Sequence, residues 1–215
     1  MKSQDLTAVV IGASGLVGSQ LVDQLLYDYR FTKVMVFARR SLKIDHIKLR
    51  EHLIDFRKPE SWRHLVQGDI LFSTLGTTLK TAGSKPAQFE VDFTFQLEMA
   101  KAAAGNGVKN YVLVSSIGAN HRSSNFYLRM KGELEEAVKK LSYESITILR
   151  PGPLDGNRKE FRIAERMSLP IIKAINALGI LKKYRPVHAA RVAEKMVEMS
   201  LDGGTGIRVV ENLQI

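Results

Sequence analysis

Three glycines at a fixed spacing constrain this 215-residue chain more than any other feature of its sequence. Gly12, Gly15 and Gly18 directly follow a short apolar run that ends at Ile11, and they open a segment with helical periodicity. A glycine-rich turn between a buried strand and a helix lets the backbone approach a pyrophosphate, which then meets the free N–H groups of the helix N-terminus. This context predicts a dinucleotide-binding turn, and a tight turn without a ligand is the alternative. The turn residues expected to contact the dinucleotide are Gly12, Ser14, Gly15, Leu16, Val17 and Gly18.

The rest of the chain alternates short apolar or β-branched runs with longer helical patterns, which is typical of βαβ units and a parallel sheet. Strands are predicted over residues 7–11, 33–38, 52–55, 69–75, 109–115, 145–149 and 206–210. Helices are predicted over residues 16–27, 59–67, 86–104, 124–141, 159–181 and 188–201, with a polar loop over 76–85. This order predicts a doubly wound, three-layer α/β Rossmann fold in a single domain, 1–215. Residues up to about 150 form the cofactor half, and residues 151–215 form a small substrate-side elaboration of the same sheet.

The second predicted strand ends in Ala38-Arg39-Arg40-Ser41, where NAD-binding folds place an acidic residue for the ribose 2′-hydroxyl. A carboxylate would repel a 2′-phosphate, whereas guanidinium groups bind phosphate through paired, charge-assisted hydrogen bonds. Arg39 and Arg40 therefore favour NADP(H) as the cofactor, and a solvated basic pair on a loop is the alternative.

Polar and small residues also follow the third and fourth predicted strands. Asp55 can accept a hydrogen bond from the adenine amine or cap a helix, and the sequence favours neither role. Leu75, Gly76 and Thr77 lie at the carboxyl edge of the sheet, where open α/β sheets bind their ligands. We expect these three residues to border the adenosine or ribose, although Gly76 fits a plain loop nearly as well.

Tyr127 and Lys131 form a Tyr-x-x-x-Lys string within a predicted helix. The string alone is weak evidence, because Tyr29 and Lys33 match it too. Tyr29 and Lys33 are rejected as a site, since they straddle a helix end and a strand start and share no helical face. Residues four apart in a helix stack on one face, and the helix of Tyr127 follows a strand that ends in Ser115-Ser116 at the carboxyl edge. The position of the pair therefore makes it a candidate site.

These residue types suit the reduction of a carbonyl group. A phenol with an ordinary pKa near 10 is a poor acid–base at neutral pH, and a neighbouring ammonium favours its phenolate. A serine hydroxyl can hold the substrate oxygen while hydride moves. Ser116, Tyr127 and Lys131 are the candidate catalytic group.

The segments GASGLVG, ARRS, LGTT, VSSIGA, SSNFYLRMKGELE and LRPGPL together resemble the short-chain dehydrogenase/reductase superfamily. More narrowly, they resemble its atypical NADPH-binding members related to the Tat-interactive protein oxidoreductase, in consistent order over residues 7–200. The resemblance implies a Rossmann fold, an NADPH site at the glycine turn with Arg39 and Arg40, and the catalytic group above. The further residues expected to contact the cofactor are Ser115, Tyr127, Lys131 and Pro151.

Two departures from the superfamily pattern bear on function. Many of these enzymes carry an asparagine in the helix before the fifth strand as part of a proton relay, and this chain has Asp92 there. The segment after Arg150 is also short, so the substrate lobe is small. The leading hypothesis is an NADPH-dependent reductase of a small carbonyl compound, with Tyr127 as the proton donor. The alternative is a non-catalytic NADPH-binding regulatory or protein-interaction module, in which Tyr127 and Lys131 only hold the nicotinamide ribose.

Composition and charge exclude several other kinds of binding site and partner. The chain has no cysteine, which excludes disulfides and thiolate metal sites, and its five histidines have no metal-ligand spacing. The net charge of +10 comes from scattered basic residues without a nucleic-acid-binding motif, so no nucleic-acid partner is expected. The longest apolar stretch, 169–181, contains Lys173 and Asn176 and is too short to span a membrane. We expect a cytoplasmic protein, with a homodimer among its oligomeric options.

Overall fold

Seven parallel strands form the central sheet of the protein, whose computed structural model describes residues 5–155 and 184–215. The sheet order is β3-β2-β1-β4-β5-β6-β9, so the order reverses between β1 and β4. This reversal is the switch point at which doubly wound sheets open a ligand crevice. The strands of the sheet are β1 (Leu6–Ile11), β2 (Phe31–Ala38), β3 (Leu49–Leu53), β4 (Ile70–Ser73), β5 (Asn110–Val114), β6 (Ser145–Arg150) and β9 (Gly206–Glu211). Two short strands, β7 (Leu154–Asp155) and β8 (Val187–His188), pair separately.

Helices pack on both faces of this sheet. The α-helices are α1 (Leu16–Tyr27), α2 (Pro59–Trp62), α3 (Leu79–Ala82), α4 (Lys85–Phe89), α5 (Phe95–Gly105), α6 (Phe126–Val138) and α7 (Ala189–Leu201). Short 3₁₀ turns lie at Arg63–Leu65 and Asn212–Gln214, and a π-helical turn lies at Glu90–Thr94. None of the helices within residues 5–155 and 184–215 is long and apolar enough to cross a membrane.

Two buried apolar clusters, one on each face of the sheet, hold these layers together. In β1, Val10 points into the cluster built with α1 and α7, while Val9 and Ile11 point into the cluster built with α5 and α6. Because β1 is covered on both faces, its sequence is continuously apolar rather than alternating, as expected for a central parallel strand. The predicted three-layer Rossmann fold is confirmed.

The third strand was predicted over residues 52–55, but in the structure β3 spans Leu49–Leu53. As an edge strand β3 buries only Leu49 fully, so its sequence carries little apolar signal. Asp55 lies beyond the strand, where its carboxylate accepts the N–H of Arg57 at 3.0 Å. The residue that precedes α2 is Lys58, so Asp55 does not cap that helix.

Two helix predictions were too long. The helix expected over 59–67 ends at Trp62 and continues as a 3₁₀ turn, because the side-chain amide of Asn106 occupies the carbonyls of Arg63 and Val66 at 2.7 and 2.9 Å. The helix expected over 124–141 spans Phe126–Val138, and the side chain of Asn125 caps its first turn.

The helix predicted over 86–104 is interrupted by the π-helical turn between α4 and α5. The wider turn changes which side chains face the protein interior, and it buries the polar side chains of Asp92 and Gln96. The loop predicted over 76–85 contains the one-turn helix α3, which Thr78 caps. The helix predicted over 159–181 lies outside the described residues.

Candidate functional site

A cleft of about 570 Å³ opens at the switch point of the sheet. It is bordered by the turn after β1, the start of the loop after β2, and the segments after β3 and β4. Its lining residues are Gly12, Ser14, Gly15, Arg39, Asp55, Phe56, Arg57, Thr74, Leu75, Gly76, Thr77, Thr81, Ala82, Ala87, Glu90, Val91 and Phe95. We refer to this space as the large cleft.

The glycine turn at the base of the large cleft has the geometry of an anion-binding turn. Gly12 has φ of 81°, and a side chain there would overlap the backbone of Thr74. Gly15 precedes α1 and supplies no side-chain cap, and the first turn of α1 has no acidic residue. The partial positive charge of this helix end is therefore not offset by a capping side chain or by an acid in the first turn.

Arg57 and Glu90 form a bidentate ion pair beside the large cleft. Nε and Nη2 of Arg57 donate to the two carboxylate oxygens of Glu90 at 2.9 and 2.7 Å. These hydrogen bonds hold the pKa of Glu90 below its ordinary value. The pair joins the segment after β3 to the π-helical turn.

A smaller cavity of about 190 Å³ lies next to the large cleft, and we refer to it as the small cleft. Gly15 and the segment 74–77 line both spaces, so the two are neighbours along the carboxyl edge of the sheet. The other residues that line the small cleft are Leu16, Val17, Thr78, Asp92, Val114, Ser115, Tyr127, Lys131 and Leu154.

Tyr127 and Lys131 meet in the small cleft on one face of α6. The Lys131 ammonium lies 6.0 Å from the centre of the Tyr127 ring, and Tyr127 is 37% exposed while Lys131 is buried. Lys131 also pairs with the buried Asp92, Nζ to Oδ1, at 3.3 Å. Burial alone lowers the pKa of Lys131, but attraction to Tyr127, Asp92 and Glu135 outweighs burial and raises that pKa. The amine is therefore held in its charged form.

Asp92 is fixed from a second direction by the loop after β4. Its Oδ2 accepts the N–H of Thr77 at 2.8 Å, and a side chain on Gly76 would touch its Oδ1 at 3.4 Å. Burial raises the pKa of Asp92, while Lys131 and the Thr77 N–H oppose that rise by favouring the carboxylate.

The two serines after β5 have different surroundings. Ser115 lines the small cleft, but its hydroxyl donates to Oε1 of Glu135 at 2.5 Å. Arg150 completes this buried cluster by donating to both oxygens of Glu135, at 3.0 and 2.5 Å. Ser116 is half-buried and lines neither cleft; its hydroxyl lies 3.4 Å from the Ile117 carbonyl. Its catalytic role stays a prediction.

The buried cluster around Glu135 carries a stability prediction. Replacing Arg150 with methionine leaves the Glu135 carboxylate buried without its main charge partner, and we expect a loss of about 3–5 kcal/mol in unfolding free energy. Urea unfolding at neutral pH measures it. Glu211 also contacts Arg150, at 3.0 Å, but is exposed, so Glu211→Gln serves as the control with a loss below about 1 kcal/mol.

Other predicted site residues lie near the clefts without lining them. Gly18 packs α1 against the turn, where a side chain would overlap the Gly12 carbonyl. Arg40 is exposed beside Arg39, and Pro151 is buried with its carbonyl accepting the N–H of Ile117 at 2.9 Å. Contacts of Arg40 and Pro151 with a cofactor stay predictions.

Sequence reasoning did not identify several cleft residues. Phe56, Arg57, Glu90 and Phe95 line the large cleft, although the sequence carries no motif around them. The π-helical turn brings Glu90 to the large cleft, and the sequence around Glu90 does not predict such a turn. Phe56 had a weak signal, because it follows Asp55 directly.

A glycine turn at the switch point, a basic residue after β2 and two adjacent clefts along the carboxyl edge define an NAD(P)-binding protein of the Rossmann class. A family model described as NAD(P)H-binding matches residues 12–170. The chain belongs to this NAD(P)H-binding family.

Relatives and solved structures agree with this assignment. The chain is 37% identical over 232 residues to the Protein FMP52, mitochondrial, of Coccidioides immitis, covering 97% of this chain and 94% of that protein. It is 34% identical to the Protein HTATIP2 of Rattus norvegicus, covering 76% of this chain and 69% of that protein. The resemblance to the Tat-interactive group is thereby confirmed. The enzyme WbmG of Bordetella bronchiseptica, solved in complex with NAD, superposes with a TM-score of 0.71 at 14% identity, covering 98% of this chain and 74% of that one.

The prediction of a cytoplasmic location is wrong. Four fungal relatives, matched over 66% to 94% of their own length, are named as mitochondrial proteins. The sequence favoured the cytosol through its lack of cysteine, and that feature does not distinguish the cytosol from mitochondria.

Proposed function

We propose that the protein is an NADPH-dependent reductase of small carbonyl compounds, in which Tyr127 donates the proton. The observation that carries this proposal is the placement of Tyr127 and Lys131 in the small cleft, which Gly15 of the glycine turn also lines. A dinucleotide with its pyrophosphate at that turn and its adenosine in the large cleft extends its nicotinamide toward the small cleft.

Bound NADPH would supply the hydride, and the protein's own residues supply position and the proton. The Tyr127 hydroxyl, on the exposed side of α6, is the group that donates to the carbonyl oxygen of a substrate. Lys131, held in its charged form, attracts the phenolate that remains on Tyr127 and offers N–H donors to the nicotinamide ribose. Small residues at Gly15 and Gly76 leave room for the backbone of the turn to approach the cofactor.

The cofactor preference rests on Arg39. Its guanidinium is exposed at the end of β2 and lines the large cleft, and no carboxylate occupies the usual NAD-selecting position. We propose that Arg39 binds the 2′-phosphate, with Arg40 contributing less because it does not line the cleft.

Replacing Arg39 with alanine is expected to weaken NADPH binding by about 10- to 100-fold, because a charge-assisted contact worth about 1.5–3 kcal/mol is lost. NADH affinity stays unchanged, since NADH has no 2′-phosphate. Fluorescence titration of both reduced cofactors measures these affinities. Arg40→Ala should have a smaller effect, and Lys33→Ala, which removes an exposed charge from the far end of β2, controls for net charge. Equal affinities of the parent for NADPH and NADH contradict the assignment.

The reductase proposal is tested by following NADPH oxidation at 340 nm with a panel of aldehydes, ketones and quinones. Saturable oxidation that depends on both substrate and enzyme supports it. Tight NADPH binding with no turnover across the panel favours the regulatory module instead.

We also propose a mitochondrial location, which the names of the fungal relatives support. Fractionation of cells that express the tagged full chain tests this location.

A further inference from the structure

Ser115 lines the small cleft with a hydroxyl whose proton is already engaged within the protein. Its Oγ donates to Oε1 of Glu135 at 2.5 Å, and its backbone N–H donates to the Leu149 carbonyl at 2.8 Å. Ser115 and Glu135 are 5% and 1% exposed, so bulk water does not compete for the hydroxyl proton. The backbone and the side chain of Ser115 are therefore both fixed.

Arg150 ensures that Glu135 is the acceptor in this hydrogen bond. Nε and Nη2 of Arg150 donate to the two carboxylate oxygens at 3.0 and 2.5 Å, and these hydrogen bonds raise the pKa of Arg150. A carboxylate paired in this way has no proton to give, so Ser115 is the donor. A charge-assisted hydrogen bond is about twice as strong as one between neutral groups, so a neutral ligand does not draw the proton away from Glu135.

The direction of this hydrogen bond determines what Ser115 offers to a ligand. A hydroxyl has one proton and two acceptor lone pairs, and the proton of Ser115 points to Glu135. Ser115 therefore faces the small cleft as an acceptor. It suits an N–H or O–H group of a ligand and not the oxygen of a carbonyl.

The position of Glu135 on α6 indicates which part of the cofactor Ser115 meets. Tyr127, Lys131 and Glu135 are spaced four residues apart, so they form one row along the helix. Tyr127 is 37% exposed at the outer end of this row, whereas Lys131 and Glu135 are buried. About 12 Å of helix separates Tyr127 from Glu135, so Ser115 lies at the inner end, away from the proposed proton donor.

We infer that Ser115 accepts a hydrogen bond from the carboxamide N–H of the nicotinamide, and that Glu135 and Arg150 are positioning residues that fix this direction. Lys131, in the middle of the row, is the proposed donor to the ribose, and the carboxamide is the one group of the nicotinamide that carries N–H donors. This inference deepens the proposed function and rests on it for the placement of the cofactor. Ser115 then anchors the nicotinamide and leaves the proton for the substrate to Tyr127.

Ser115→Ala tests the acceptor directly in the full chain. We expect it to bind NADPH about 3- to 10-fold more weakly, the usual effect of losing one hydrogen bond. The loss should appear in the Kd and KM for NADPH rather than in kcat. Ser115→Cys keeps a proton for Glu135 but presents sulfur, a weak acceptor, so it should show the same loss even if Ser115→Ala does not fold. Parent-like NADPH affinity in a folded variant, or a loss confined to kcat, overturns the inference.

Ser73→Ala is the matched control. Ser73 is buried at the end of β4, and its hydroxyl donates to Oε1 of Gln96 at 2.7 Å. It lines neither cleft, so this variant makes the same chemical change without removing an acceptor from the site. Ser73→Ala should bind NADPH as the parent does, and a loss equal to that of Ser115→Ala contradicts the inference.

The contact with the carboxamide is tested with a reduced cofactor that carries an acetyl group in its place. The acetyl group keeps the carbonyl oxygen and lacks the N–H, so Ser115→Ala and the parent should bind this analogue alike. If Ser115→Ala weakens binding of the analogue as much as binding of NADPH, Ser115 contacts another group of the cofactor and the inference fails.

A double-mutant cycle tests the positioning role of Glu135. Glu135→Gln removes the charge that holds the Ser115 proton, and it should weaken NADPH binding when Ser115 is present. In the Ser115→Ala background it should have no further effect, because Glu135 acts through Ser115. Equal losses in the two backgrounds overturn the positioning role.

These cofactor titrations need no substrate, so the inference and the reductase proposal fail separately. A protein that binds NADPH through Ser115 but turns over no carbonyl disproves the reductase and leaves the Ser115 assignment standing. Turnover together with parent-like NADPH affinity in Ser115→Ala disproves the Ser115 assignment and leaves the reductase standing.

Discussion

Replacing Tyr127 with phenylalanine is expected to lower the rate of carbonyl reduction by about 10²- to 10⁴-fold, the usual contribution of a positioned general acid. The ring keeps its place on α6, but the proton for the carbonyl oxygen is gone. NADPH affinity should stay nearly unchanged, because the hydroxyl is one of several contacts along the cofactor. Steady-state kinetics with NADPH and the best substrate of the panel give the rate, and fluorescence titration gives the affinity.

Tyr29→Phe is the matched control for this prediction. Tyr29 belongs to the second Tyr-x-x-x-Lys string, but it is 69% exposed in the connection between α1 and β2. Its variant should keep the parent rate. Lys131→Ala should differ from both, because it loses the charge beside Tyr127 and the donor to the ribose, so rate and NADPH affinity fall together. An active parent whose Tyr127→Phe variant keeps its full rate refutes the assigned proton donor.

All seven strands of the central sheet could be predicted from the sequence, and the signal was strongest for the inner strands, which are covered on both faces and leave continuous apolar runs such as Val9-Val10-Ile11. The prediction was least accurate at the edge, where β3 buries little and its composition is polar. The pair β7 and β8 was missed, since two-residue strands carry no periodicity at all.

The candidate site was predictable where a local string fixes local geometry. The glycine motif lies within one turn, and Tyr127 and Lys131 lie within one helix. The local sequence therefore determines which of these groups lie on the same face. The contact of Lys131 with Asp92 was not predictable, because it depends on the π-helical turn that rotates Asp92 inward. The sequence marked Asp92 only as a departure from an asparagine pattern.

The same limit explains why the serine assignments stay open. Ser115 and Ser116 are adjacent, and successive residues at a strand end point to opposite sides. Which one faces the small cleft depends on where β5 stops and on partners such as Glu135, which lies on another element. Helix packing determines which distant residues contact these serines, and a short sequence motif does not predict it.

Gly15→Val is expected to abolish NADPH binding while the protein stays folded. Gly15 lines both clefts where they meet, which is where the pyrophosphate of a bound dinucleotide would lie. Its φ of −78° is open to any residue, and an added Cβ would lie 3.1 Å from the Gly12 carbonyl oxygen, which must then shift by a few tenths of an ångström. The two methyl groups of valine would then fill space that the phosphates need. Substitutions at Gly12 or Gly18 are less informative, because a side chain at either would overlap backbone atoms and disturb the fold itself.

The measurement is a fluorescence titration of Gly15→Val with NADPH up to about 100 times the parent Kd, where a loss of more than about 2.7 kcal/mol leaves no saturation. Far-UV circular dichroism and thermal unfolding establish that the variant is folded. Gly105→Val makes the same chemical change at the end of α5, where a Cβ meets nothing within 4 Å, and it should bind NADPH as the parent does. If folded Gly15→Val binds NADPH normally, the phosphates do not lie at the N-terminus of α1. Every assignment that follows from that placement would then fail with it, from Arg39 at the 2′-phosphate to the nicotinamide beside Tyr127.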